Sequence, residues 1–148
     1  MSSIITALKD KIKAELAELP DFDAEHIKDY PTIDFQSYPA AIVRSDEQSG
    51  DYETTSENYE EYTYTIFLLM INTTQEANPA KSRQIMEELV GDTRMHFDAD
   101  EFLSGLSLPT GYSFLGIRPT NGRIFDEESG KFVVGEIRLA CRVSKGIQ

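Results

Sequence analysis

At 148 residues, with 40% hydrophobic and 27% charged residues, the sequence has an ordinary globular composition and enough chain to bury one core. Its net charge of −12 and pI near 4.5 argue against a binder of nucleic-acid phosphates or anionic membranes, because that work needs clustered Lys and Arg to release counterions. The single cysteine, Cys141, rules out an intrachain disulfide and a cysteine-rich metal site, and it fits a reducing compartment.

The chain opens without a basic segment followed by an apolar block. Nor does any apolar run approach the roughly 20 residues that span a bilayer. The expected location is the cytoplasm of the producing cell, with no membrane partner, and residues 1–148 are read as one domain. Over residues 3–19, Ile5, Leu8, Ile12, Leu16 and Leu19 recur at helical spacing, with Lys9, Lys11, Lys13, Glu15 and Glu18 mostly between them. This predicts an amphipathic helix capped by Ser2 or Ser3 and stopped by Pro20. Its narrow stripe should lie on a sheet face.

Residues 20–38 read as an extended connection pinned through Phe22, Ile27, Tyr30 and Phe35. A short strand follows from Tyr38 to Arg44, with Pro39 at its start, where no ladder donor is needed. Residues 45–59 are polar throughout, with only Tyr52 and Tyr59 as anchors, and predict a long, mobile hairpin extension rather than packed structure. From Glu60 to Asn72 the chain alternates, with Tyr62, Tyr64 and Ile66 opposite Glu61, Thr63 and Thr65, and then turns apolar on both faces. That is the pattern of a central strand running from a wet rim into a sheet covered on both sides.

Asn78 and Pro79 suit the N-cap and first position of a second helix, buried through Ile85, Met86, Leu89, Val90 and Phe97 and ending near Asp98. Phe102, Leu103, Leu106 and Leu108 should return the chain to the core. Two last strands are expected, Tyr112 to Arg118 and Lys131 to Val143, joined by turns around Arg123-Ile124-Phe125-Asp126, with a frayed tail from Lys145. In the final strand Val133, Gly135, Ile137, Leu139, Cys141 and Val143 share one face, and Glu136, Arg138 and Arg142 the other. The predicted class is α+β: a mostly antiparallel sheet with two helices packed on one face and a long polar hairpin extension.

Catalytic patterns are sparse. Asp98, Asp100 and Glu101 form the tightest acid cluster, and a small metal-dependent enzyme built on them is the alternative of a different class. They lack the spacing of a calcium loop and read first as a solvated helix end. His26 and His96 lie far apart without Cys or a second His nearby, and His96 should face the carbonyl end of its own helix. Cys141 is expected to be buried and inert, no glycine-rich phosphate loop is present, and no cofactor or metal is expected.

What remains is surface. Tyr52, Tyr59, Tyr62 and Tyr64 crowd the hairpin, and Tyr offers large contact area with few torsions to freeze. Arg118, Arg123, Arg138 and Arg142 gather on the C-terminal strands, opposite in sign to the acidic hairpin. Separate acidic and basic regions join copies head to tail, and such contacts close into rings when the rotation allows. Tyr52, Tyr59, Tyr62, Arg118, Arg123 and Arg138 are therefore the candidate subunit or partner contacts.

Four stretches are similar to one family: the start Ile4-Ile5-Thr6-Ala7-Leu8; Tyr38-Pro39-Ala40-Ala41-Ile42-Val43 leading into a polar hairpin; Tyr62-Thr63-Tyr64-Thr65-Ile66-Phe67-Leu68 before a helix; and the closing strand pair near Val143. With them the chain resembles the tail terminator, or tail completion, proteins of long-tailed bacteriophages. The resemblance implies a non-enzymatic virion protein. It would form a homo-oligomeric ring, commonly a hexamer, on the last tube ring of a finished tail, stop elongation and offer a docking surface to the head-completion or neck protein. DNA would meet it as a passing cargo, and an acidic channel would let that cargo slide. Assembly in the host cytoplasm and residence in the virion follow from the same resemblance. A head-side neck or connector of the same particle is the runner-up.

Overall fold

The structure is a computed structural model; it describes residues 4–19, 22, 26–29, 39–51, 57–71, 79–99, 103, 106–120, 122–127 and 132–146. Its elements are α1 (Ile4–Ala17), β1 (Ile27–Lys28), β2 (Ala40–Asp51), β3 (Glu57–Ile71), α2 (Pro79–Ala99), β4 (Tyr112–Pro119), β5 (Arg123–Asp126) and β6 (Phe132–Gly146). The strands form one open sheet in the order β1-β2-β3-β6-β4, with β5 also paired to β6. Every pairing is antiparallel except that of β1 with β2. The α+β class holds, and β3 is central as its apolar run requires.

Period-two alternation puts Ala41 and Val43 of β2, Tyr62, Tyr64, Ile66 and Leu68 of β3, and Val133, Ile137, Leu139, Cys141 and Val143 of β6 on one face, all buried. Against them α1 lays Ile4, Leu8, Ile12 and Leu16, while α2 lays Met86, Leu89, Val90 and Phe97. Each such side chain contributes about 1.5–3 kcal/mol on leaving water, so this helix-covered face carries the fold. The Tyr64 hydroxyl donates to the Ile5 carbonyl at 2.8 Å, which ties α1 to the central strand. Gly135 brings α2 close: a Cβ there would stand 2.6 Å from Val90 Cγ2 and 2.8 Å from Met86 Sδ. A bulge at Leu115 in β4 lets Phe114 and Ile117, three apart, both turn toward the core.

Several expectations change. The polar extension expected over residues 45–59 is a hairpin whose two arms are ladder-paired: β2 runs on to Asp51 and β3 begins at Glu57, with Asp51 opposite Tyr59, while residues 52–56 lie outside the described residues. Polar side chains leave backbone donors and acceptors free, so the ladder continues beyond the core, and β6 flanks it with Gly146 opposite Glu57. The tail expected to fray is, at Lys145 and Gly146, part of that ladder. The segment Arg123–Asp126, left without an element of its own between two turn signals, is β5, held to α2 where Arg83 donates to the Ile124 carbonyl at 3.1 Å. The connection after α1 supplies the parallel strand β1, with Phe22 and Ile27 buried; Tyr30 and Phe35 lie outside the described residues. Ile85, expected in the core, is exposed, because the buried stripe of α2 runs Met86, Leu89, Val90, Thr93 and Phe97 and places Ile85 off its edge.

The second face of the sheet is apolar at one end only, where Ile42, Leu69, Phe132 and Val134 gather with Phe67 and Phe125. Among the described residues, no helix covers this face of the sheet. Both helices pack on the same face, as the class predicted.

Candidate interaction surface

Beyond that apolar end, the open face is built from residues one step out of phase with the core. On β6 these are Glu136, Arg138, Ala140 and Arg142; their cross-strand neighbours on β3 are Phe67, Thr65, Thr63 and Glu61. Arg44 of β2 lies opposite Thr65, Arg118 of β4 opposite Ala140, and Arg123 of β5 opposite Glu136. Arg83 and Arg94 belong to α2, and the other five arginines of this acidic chain, Arg44, Arg118, Arg123, Arg138 and Arg142, all share this one face. Each of the five is exposed.

Two of these arginines are held in place. Arg44 Nε donates to Asp46 at 2.8 Å, and its guanidinium lies 4.9 Å over the Phe67 ring. Asp46 also accepts from Thr65, so one carboxylate orients two neighbours. Arg123 pairs with Glu136 and lies 4.8 Å over Phe125. These contacts stiffen the guanidinium planes and leave their outer edges toward solvent, a state suited to bidentate capture of carboxylates. Arg118 and Arg138 make no side-chain hydrogen bond or ion pair among the described residues. A recess of about 470 Å³ opens on this face, lined by Thr120, Arg123, Glu136 and Arg138. Thr120 fixes its wall by bonding the Arg138 carbonyl through both its amide, at 2.8 Å, and its hydroxyl, at 3.0 Å.

The structure thus brings Arg118, Arg123 and Arg138 onto one face, where the sequence alone gathers them only on the C-terminal strands, and adds Arg44. Tyr62 goes the other way. It lies on the helix-covered face at 5% exposure, bonded to Glu60, so its ring is packed in the core rather than offered to a neighbour. Burial pushes the phenols of Tyr62 and Tyr64 well above their ordinary range, and the Cys141 thiol up to about 12, so none of the three is ionised near neutral pH. Tyr52 lies outside the described residues, and Tyr59 is placed by its backbone alone.

Of the acid cluster, Asp98 is exposed in the last turn of α2, and Asp100 and Glu101 lie outside the described residues. A different polar group forms nearby. His96 faces Glu15 of α1 rather than its own helix end, with Nε2 2.9 Å from Glu15 Oε2 and 3.6 Å from Glu18 Oε2. Glu15 is buried, which raises its carboxyl pKa, and Lys11 lies 3.5 Å from its other oxygen. Helical spacing of Glu15 and Glu18 was visible in the sequence, but the partner 81 residues away was not.

No family model matches the sequence, and no curated protein matches it. Among solved structures, a chain of the "Virion of native gene transfer agent (GTA) particle" shares the fold, with a TM-score of 0.60 at 12% identity, over 97% of this chain and 99% of that one. At that identity the likeness establishes the architecture, end to end.

Proposed function

We propose that the chain is a non-enzymatic structural subunit of a phage-like virion. In this reading its copies form a ring, of six as in the family it resembles, that caps a finished tail tube, stops its growth and presents the docking surface for the head or neck. The observation that carries this is the likeness, along nearly the whole of both chains, to a protein found in a gene transfer agent virion. The four stretches shared in character with tail terminators narrow it to the tail end.

The charge layout supplies a means of assembly. From Ser45 to Ala80 the sequence holds no Lys or Arg, while the paired arms of β2 and β3 carry Asp46, Glu47, Asp51, Glu57, Glu60 and Glu61. An acid-rich arm on one copy and the arginine face of the next form a heterologous pair, the kind of contact that closes into a ring. Arg118, Arg123 and Arg138 would make these contacts, with Tyr52 and Tyr59 of the arm beside them. The tube protein and the neck protein would take the two rims, and remaining acids facing the channel would let DNA pass without sticking. A head-side connector position draws on the same likeness.

The test adds purified protein to assembling tube subunits and measures tube length by electron microscopy. Capped tubes with labelled protein at one end are expected. Unchanged length with no bound protein would overturn the tail-end reading, and label confined to the head side of particles would favour the connector.

A further inference from the structure

We infer that Glu15, Glu18 and His96 form a binding site for one divalent cation of the zinc-to-manganese class, fastening the end of α1 to the end of α2. Each residue offers one ligand atom, and these atoms all lie within 4.8 Å of one another. An ion held roughly 2.0–2.2 Å from nitrogen and oxygen donors sets tetrahedral ligands about 3.3–3.6 Å apart. The two distances from His96 Nε2, 2.9 and 3.6 Å, bracket that spacing. Closing the third edge asks only for movement of Glu18, whose side chain is 63% exposed and which stands just past the last residue of α1.

The donor chemistry points the same way. Two carboxylates converge on one imidazole, and one of them, Glu15, is only 3% exposed. Two carboxylates brought together repel, and a cation shared between them offsets that repulsion; Lys11 does so only from the Oε1 side of Glu15. Lys11 addresses Glu15 Oε1, while Oε2 meets His96 Nε2, a contact that a shared ion would replace on entering between them. One nitrogen and two carboxylate oxygens suit borderline Zn²⁺ and, through the carboxylates, the harder Mn²⁺, and three protein ligands leave a position for water. An ion bound to the folded chain alone stabilises it by mass action, so the site would act as a clasp between the helices that cover the sheet. This inference stands apart from the virion reading, because it concerns the single chain before assembly.

The experiment uses the full chain freed of metal by a chelator, then titrated near neutral pH with ZnCl2 and with MnCl2 by calorimetry and thermal melting. Saturable uptake of one ion per chain with a rise in Tm is expected, weakened by about tenfold or more in both Glu18→Gln and His96→Gln. Glu18→Gln alters an exposed side chain, and its melt without metal confirms that it folds. Absence of saturable uptake would overturn the inference. Uptake that either substitution leaves unchanged would assign binding to other surface carboxylates, and would overturn it equally.

Discussion

The two faces of the sheet are made by the same strands and differ by one residue of phase. On β6, Val133, Ile137, Leu139, Cys141 and Val143 face the helices, while Glu136, Arg138 and Arg142 between them meet no helix among the described residues. The helix-covered face is held by apolar burial, where a lost methylene is felt at once. The open face is held by little of its own, since exposed ion pairs contribute ~0–1 kcal/mol. Residues that fold the protein and residues left on the open face are therefore interleaved in sequence yet separated in space, and substitutions at adjacent positions should fail in different assays.

The largest effect expected of that contrast comes at alkaline pH. Tyr62 lies opposite Cys141 and Tyr64 opposite Leu139, so three buried acids share the covered face. Burial raises each of them, Cys141 from 9.0 to about 12. The folded state holds these protons more tightly than the unfolded chain does. Their stabilisation is thus complete below the unfolded values and lost as pH rises from about 9 upward. Urea melts across that window should show a steep fall in midpoint, flattened by Tyr64→Phe and Cys141→Ala; a level midpoint would break the picture.

Leu139→Ala should cost ~2–5 kcal/mol in chemical denaturation, because it opens a cavity in a fully buried site. Its neighbour Arg138→Ala should stay within ~0.5 kcal/mol. Comparable losses from the two would show that the open face is not open. Gly135→Ala should destabilise by ~1–3 kcal/mol, since the new Cβ meets Val90 and Met86 below ordinary contact distance and α2 must shift. Smallest in stability is the pair Arg118→Glu with Arg138→Glu, expected to melt nearly as the parent while failing to cap tubes in the length assay. Normal capping by that variant would remove the arginine face from the proposed contacts.

Much of this was legible in residue order. The strong periodicities of α1, β3 and β6 specify element type and buried side, since a phase slip would move a whole apolar set into water. The arginine face was partly legible for the same reason: once β6 is a strand with Leu139 inward, Arg138 must point outward. Weak periodicity explains the misses. β5 and the outer arms of β2 and β3 are held by backbone ladders that many side chains permit, so composition showed the hairpin but neither how far its strands stay paired nor the strand β5. Tyr62 looked like a contact residue beside Tyr52 and Tyr59, until the register set it opposite Cys141.

The sequence by itself determined the class of fold, the inward set of each strong element and the excess of negative charge, because these depend on local period and composition. Tertiary structure alone decided that five arginines from four strands share a surface, and that His96 meets Glu15 and Glu18. Both depend on strand order and on how two helices cross one sheet. Those are settled by how the whole apolar surface is best buried, and no short stretch of chain encodes them.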